Sequence, residues 1–125
     1  MATLFIRIAR AALLLTAACG VPHAAEAKKI VKICAVLPTS GPNAAVGAGM
    51  MNSMILAADQ LNKSGKLGDI EIELVKLDDG SQASVGVNAV LRAASDPDVV
   101  VCSAHWNSPV ALATRDVFQR EDLAT

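Results

Sequence analysis

The sequence predicts an α/β fold, in which helices cover both faces of a parallel sheet with strand order 2-1-3, giving three layers. Apolar runs of strand length alternate with segments whose apolar residues recur at helical spacing, in the order β-α-β-α-β-α. Clusters of turn residues separate these segments. Such alternation is typical of parallel strands joined by right-handed helical crossovers. The chain has 125 residues, of which 53% are hydrophobic, which is enough for one domain at most.

The first half of the chain predicts two strands with a helix between them. Residues 30–37 form a nearly continuous apolar run that stops at the turn cluster 38–42, as expected of a buried parallel strand. Apolar residues at positions 50–61 then recur on one helical face. Residues 70–77 begin by alternating apolar and charged side chains, which indicates a strand with one exposed face near an edge of the sheet.

The second half predicts two more helices and a third strand. Residues 78–81, Asp-Asp-Gly-Ser, end the second strand, and we expect them to cap a helix whose apolar face spans 87–94. Residues 99–102 are fully apolar and predict a third strand. A third helical face follows at 110–117.

The N-terminus has the pattern of a secretory signal peptide. Two arginines, Arg7 and Arg10, precede a short apolar run at 11–18, and an Ala-Glu-Ala cleavage pattern follows at 25–27. The apolar run is far shorter than the roughly 20 residues that a bilayer span needs. We therefore predict a signal peptide over residues 1–27 and export to the periplasm, which leaves residues 28–125 as the mature chain.

The three cysteines leave two questions open. Residues 15–20 resemble a bacterial lipobox, so lipid attachment at Cys19 is the alternative to signal-peptide cleavage, although Thr16 replaces the usual leucine. Cys34 and Cys102 fall inside apolar strand patterns, in a compartment that permits disulfides. We expect buried thiols at both positions, because a free cysteine packs as a small hydrophobe. Whether these thiols stay free is not decided by the sequence.

Composition argues against several classes of function. The net charge of −1 and the three aromatic residues give neither the basic surface nor the stacking platform that nucleic acid binding requires. A dinucleotide enzyme is a weak alternative, since Gly47 and Gly49 lack the third glycine of the fingerprint, although Asp78 stands where a ribose-binding acid would. We expect His105 to be a hydrogen-bonded loop residue, because a metal site needs several converging ligands. No cofactor and no catalysis are predicted.

A ligand site is expected at the carboxyl ends of the strands, where the strand order reverses. With order 2-1-3, the loops at 38–46 and 103–109 meet there, and both are rich in small polar residues. Ser108 before Pro109 predicts a helix N-cap followed by proline at the first helical position. The N–H groups and positive dipole end of such a helix suit a carboxylate. Trp106 is a large apolar surface in this loop, either packed in the core or facing a ligand or second lobe.

The sequence resembles the leucine/isoleucine/valine-binding proteins, which are type I periplasmic solute-binding proteins of ABC transporters. Residues 31–47 are similar to the opening of these proteins, whose Ser-Gly-Pro a few residues before a glycine is typical. Residues 59–65 look like the end of a helix in these proteins, and residues 77–79 look like the end of their second strand. Residues 103–108 look like the loop after their third strand. The resemblance covers residues 29–118, and it depends on the order and spacing of these motifs together.

The resemblance implies that this chain is part of the N-terminal lobe of a two-lobed, leucine-binding-protein-like domain. Such a protein delivers a branched-chain amino acid, or a related small amino acid or amide, to an inner-membrane ABC permease. It implies that Ser108 binds the ligand carboxylate and that Trp106 lines the pocket. We expect Asn107 and Ser40, which lie in the same two loops, to belong to the ligand site as well. Val46 falls where many members carry an aromatic residue over the ligand, which leaves the identity of the ligand open. A sensory receptor ectodomain of the same fold is the alternative function.

Overall fold

The computed structural model describes residues 27–125. Cys19 and nearly all of the predicted signal peptide lie outside the described residues. Within residues 27–125, no helix is both long enough and apolar enough to cross a membrane.

Strands and helices alternate along the described chain, as predicted. The elements are β1 (Lys29–Leu37), a 3-10 helix (Gly41–Asn43), α1 (Ala44–Lys63), β2 (Ile70–Asp78), α2 (Ala83–Ala94), β3 (Val99–Ala104) and α3 (Ser108–Arg120).

The strands form one parallel sheet in the order β2-β1-β3, which confirms the predicted order. β1 pairs along its whole length with β2, and its last residue, Leu37, lies opposite Asp78. On the other side Val36 lies opposite Ala104, the last residue of β3. The three strands therefore end at one edge of the sheet, which we call the carboxyl edge.

Helices cover both faces of the sheet, which confirms the three layers. Successive side chains of a strand point to opposite faces. Cys34 and Val36 accordingly join a core cluster with residues of α2 and α3, whereas Ala35 and Leu37 pack on the other face with Met51 of α1. These four side chains, in the second half of β1, are all buried. Because β1 is covered on both faces and flanked on both sides, it is the most enclosed element of the described chain.

The second strand has the exposed edge that its alternating sequence predicts. Alternate residues at the start of β2 are exposed, and β1 is the strand's one neighbour in the described sheet. The side chain of Asn62, near the end of α1, covers part of the free side. Its Nδ2 donates to the carbonyl oxygen of Ile72 at 2.9 Å, and its Oδ1 accepts from the N–H of Ile72 at 2.8 Å. These bonds satisfy backbone groups that an edge strand leaves unpaired.

The third strand forms as predicted, but its apolar side chains are only partly buried. Val99 and Cys102 are buried, but Val100 is 54% exposed. The physical reason is that β3 is the other edge of the described sheet, so its outer face has less cover. Near the described C-terminus, Ala124 pairs with Val101 in parallel, and its carbonyl oxygen accepts from the N–H of Cys102 at 2.8 Å.

Gly47 allows α1 to approach the end of β1. A Cβ atom at this position would overlap the carbonyl oxygen of Pro38, which directly follows β1. At Gly49, one half-turn further along the same helix, a Cβ atom would meet nothing within 4 Å. The glycine at 47 is therefore required by packing, whereas the one at 49 is not.

We predict opposite effects of alanine at these two glycines. Gly47→Ala should lower the free energy of unfolding by about 1–3 kcal/mol, because α1 must move away from β1. Gly49→Ala should raise it by about 1 kcal/mol, because alanine is the better helix former and has room. Urea unfolding of both variants measures the difference, and equal stability of the two would contradict the packing role of Gly47.

Candidate functional site

Three loops meet at the carboxyl edge of the sheet. We call them the β1 loop (residues 38–43), the β2 loop (79–82) and the β3 loop (105–107). Because the strands are parallel and the last residues of β2 and β3 pair with the last two residues of β1, all three loops emerge on the same side. The predicted site residues lie in these loops or in the helix turns that follow them: Ser40 in the β1 loop, Val46 in the first turn of α1, Trp106 and Asn107 in the β3 loop, and Ser108 at the start of α3.

Asp78, the last residue of β2, organises the β1 loop. Its Oδ1 accepts hydrogen bonds from the backbone N–H groups of Thr39 at 2.8 Å, Ser40 at 3.1 Å and Gly80 at 2.9 Å. Its Oδ2 accepts from the hydroxyl of Ser40. Burial raises the pKa of Asp78, but the Ser40 hydroxyl and the three N–H groups outweigh burial and hold this pKa below its ordinary value. The Ser40 hydroxyl is thus engaged within the loop.

Asp79, the next residue, connects the β2 loop to the β3 loop. Its Oδ1 accepts from the N–H of Ser81 at 2.8 Å, and its Oδ2 lies 3.2 Å from Nδ1 of His105. The other ring nitrogen of His105, Nε2, lies 2.9 Å from Oγ1 of Thr114 in α3. The side chains of Asp79 and His105 are almost entirely buried, and Thr114 is buried as well. This chain of contacts spans three elements of the fold.

The prediction that His105 is a hydrogen-bonded loop residue is confirmed, since both of its ring nitrogens have a partner. Among residues 27–125, no group of three or more His, Cys, Asp or Glu side chains is arranged to hold a metal ion.

The predicted capping role of residues 78–81 is wrong. The N-cap of α2 is Gln82, and no side chain caps this helix. The physical reason is that Asp78 and Asp79 direct their carboxylates to the β1 loop, to Ser81 and to His105 instead.

The N-terminus of α3 has no side-chain cap, and the prediction that Ser108 is its N-cap is wrong by one residue. The N-cap is Asn107, whose carbonyl oxygen accepts from the N–H groups of Val110 and Ala111, both at 3.1 Å. Ser108 is the first residue of the helix and is exposed. The Oδ1 atom of Asn107 is buried without a hydrogen-bond partner. Since Pro109 has no N–H, this helix start keeps the N–H of Ser108 and an exposed hydroxyl at the carboxyl edge.

Two apolar side chains near the same edge are exposed. Trp106 is 52% exposed, which excludes simple core packing. Val46, in the first turn of α1, is 41% exposed. The carboxyl edge therefore combines the exposed hydroxyl of Ser108 with exposed apolar surface.

A family model described as periplasmic binding protein matches residues 30–125. The chain belongs to the periplasmic binding protein family. This match covers every described strand and helix except Lys29, the first residue of β1, and it confirms the resemblance that the sequence motifs indicate.

Solved structures show the fold of this periplasmic binding protein. One, from Rhodopirellula baltica, is described as a possible leucine/isoleucine/valine-binding protein; it has 21% identity and a TM-score of 0.73, over 78% of this chain and 26% of that one. A branched-chain amino acid transporter substrate-binding protein from Streptococcus pneumoniae, in complex with isoleucine, has 22% identity and a TM-score of 0.71, over 76% and 27%. A leucine-binding protein from Thermotoga maritima has 29% identity and a TM-score of 0.57, over 74% and 26%.

The chain thus spans about a quarter of the length of these solved structures. The comparison with curated proteins found no match.

The dinucleotide-enzyme alternative finds no support in the geometry of this periplasmic binding protein. Gly47 and Gly49 lie inside α1, whereas a dinucleotide fingerprint places its first glycines in the turn between strand and helix. The carboxylate of Asp78, which would bind a ribose, already accepts four hydrogen bonds from the loops.

We predict that the stabilising effect of Asp78 is lost in acid. Because the folded-state pKa of Asp78 lies below its ordinary value of 3.8, its contribution is present above that value and disappears as the pH falls through the folded-state pKa. Asp78→Asn should therefore be less stable than the parent chain at neutral pH, and the difference should shrink below pH 3.8. Urea unfolding across this range measures it. Asp116→Asn, at an exposed position, is the matched control, and a pH-independent difference for Asp78→Asn would contradict the assignment.

We predict that Asp79→Ala destabilises the chain by about 1–3 kcal/mol, because it leaves the buried Nδ1 of His105 without a partner. The matched control is Asp59→Ala, which removes an exposed contact with Lys63 and should cost much less. Urea unfolding compares the two variants, and similar losses would argue against a structural role for the Asp79–His105 contact.

Proposed function

We propose that this chain supplies part of the ligand site of a periplasmic solute-binding protein that serves an inner-membrane ABC permease. The ligand that we propose is a branched-chain amino acid or a related small amino acid or amide. The observation that supports this most directly is the uncapped N-terminus of α3, which lies at the carboxyl edge beside β1. Family membership supports a binding role.

A carboxylate fits this helix terminus for two physical reasons. The first N–H groups of a helix have no intrahelical partner, and the helix dipole adds a partial positive charge there. In α3 the N–H groups of Val110 and Ala111 bond to the carbonyl oxygen of Asn107, and Pro109 has none, so the donor that remains is the N–H of Ser108. The exposed Ser108 also adds a hydroxyl in the first turn. We propose that the ligand carboxylate accepts hydrogen bonds from the hydroxyl and the N–H of Ser108.

The exposed apolar residues suit the rest of such a ligand. Trp106 offers a broad apolar surface one position before the N-cap of α3. Val46 lies in the first turn of α1, directly after the β1 loop, and therefore on the β1 side of the carboxyl edge. Because valine is smaller than the aromatic residue that many relatives carry, we propose that Val46 leaves more space above the ligand.

The surroundings of Ser108 favour binding over catalysis. A serine nucleophile needs an adjacent base that can accept its proton. His105 is the nearest histidine in sequence, but its ring nitrogens are engaged by Asp79 and Thr114. We therefore propose that Ser108 acts as a hydrogen-bond donor. We also propose that residues 1–27 direct export to the periplasm, with a lipid at Cys19 as the alternative.

We predict that Ser108→Ala weakens amino acid binding. The variant should be made in a two-lobed protein in which residues 28–125 form the first part of the N-terminal lobe. Loss of a hydrogen bond to a charged group should cost about 1.5–3 kcal/mol, or roughly a tenfold to hundredfold increase in Kd for leucine, isoleucine or valine, measured by calorimetry.

The matched control is Ser95→Ala. Ser95 is also exposed, but it follows α2 and precedes β3, so it lies at the opposite edge of the sheet. This variant should bind as the parent does. An unchanged Kd in Ser108→Ala would remove Ser108 from the site, and a parent protein that binds none of these amino acids or their amides would refute the proposed ligand class.

A further inference from the structure

Two cysteines lie side by side in the core. Cys34 of β1 and Cys102 of β3 are directly opposite each other in the parallel register. Both belong to the core cluster on the face that α2 and α3 cover, so their side chains point to the same side of the sheet. Their exposed fractions are 0% and 1%. They are thus a pair of neighbouring thiols, in contrast to two isolated core residues.

We propose that Cys34 and Cys102 form a cross-strand disulfide under oxidising conditions. Neighbouring strands lie about 4.7–4.9 Å apart, and disulfides join Cα atoms that are usually about 4.4–6.8 Å apart. Residues that are paired in register on one face therefore meet the distance that the bond requires. The proposal depends on the proposed export only for the compartment, since disulfides persist in the periplasm.

The pKa values of the two thiols agree with their closeness in the folded chain. A hydrogen bond from Cys102 lowers the pKa of the Cys34 thiol, and burial opposes this effect. The same hydrogen bond, together with burial, raises the pKa of Cys102. The two thiols are thus close enough to interact once the core has formed.

The oxidant that we propose is a disulfide, either of a small thiol or of a protein. The thiolate of one of the two cysteines attacks one sulfur of this oxidant, forms a mixed disulfide and releases one thiolate. The other cysteine then loses its proton and attacks the Sγ atom of the first, which releases the second thiolate. The two cysteines are oxidised by two electrons, and the disulfide is reduced to two thiols. Because both side chains are buried in the folded chain, this exchange belongs to folding, before α2 and α3 cover the pair.

The bond would join the two strands that carry the proposed ligand loops. Cys34 lies three residues before the end of β1, and Cys102 lies two residues before the end of β3. It would also close a long loop, which restricts the unfolded chain. The oxidised protein should therefore keep the β1 and β3 loops in fixed register and unfold at a higher denaturant concentration than the reduced protein.

The test uses the full 125-residue chain with Cys19→Ser, so that positions 34 and 102 carry its thiols. The chain is unfolded with reductant and refolded in excess oxidised glutathione. It is then denatured without reductant and treated with a maleimide, and its peptides are mapped by mass spectrometry. We expect no maleimide on either cysteine, a peptide pair joined through both, and a loss of two hydrogen atoms.

The matched control moves one thiol by one residue, with Cys102→Ala and Ser103→Cys in the same chain. Because successive strand side chains point to opposite faces, this cysteine should not reach Cys34 and should react with glutathione or the maleimide. Free thiols or separate glutathione adducts in the parent, or equal cross-linking in the control, would overturn the proposal. Neither result depends on ligand binding, so this test and that of Ser108 fail independently.

Discussion

Two adjacent carboxylates, Asp78 and Asp79, hold the carboxyl edge together. Asp78 binds three backbone N–H groups and the hydroxyl of Ser40, and so fixes the β1 loop. Asp79 binds His105 and so fixes the β3 loop. β2 itself lies on one side of β1, and β3 lies on the other. A single strand end thus positions both loops of the proposed site, including the loop that belongs to a strand it does not touch.

The contact between Asp79 and His105 is better understood as a positional device than as a source of stability. Removing two polar side chains from water is costly, and a buried pair offsets this cost only when its remaining hydrogen-bonding groups have partners. Here the partners are present, since Ser81 donates to Asp79 and Thr114 contacts the far side of the His105 ring. Apolar side chains of similar volume often replace a buried polar pair without loss of stability, so we attribute to this contact mainly the position that it gives the loop. It fixes the residue that precedes Trp106.

Periodicity made the layers and the strand order predictable, because both follow from local patterns. Alternation along β1 determines which side chains face α1 and which face α2 and α3. The pairing of Asp79 with His105 was not predictable, since its partners are 26 residues apart and meet only across the assembled sheet. The two consecutive acids at the end of β2 were the available signal, but local rules assign such residues to helix capping. The N-cap of α3 was predicted one residue too late for a similar reason. Local rules fit a serine before proline equally well as the N-cap or as the first residue of the helix.

The frame of the site and its proposed ligand contacts use different side chains. Asp78, Asp79 and His105 make the bonds that position the loops, whereas Val46 and Trp106 are exposed and take no part in those bonds. A change at an exposed position therefore alters the shape and polarity offered to a solute without releasing the loops. The uncapped start of α3 belongs to the backbone and depends on no particular side chain at those positions. Such a division lets one fold retain a fixed anchor for a charged group while the surface around it is adapted to different solutes.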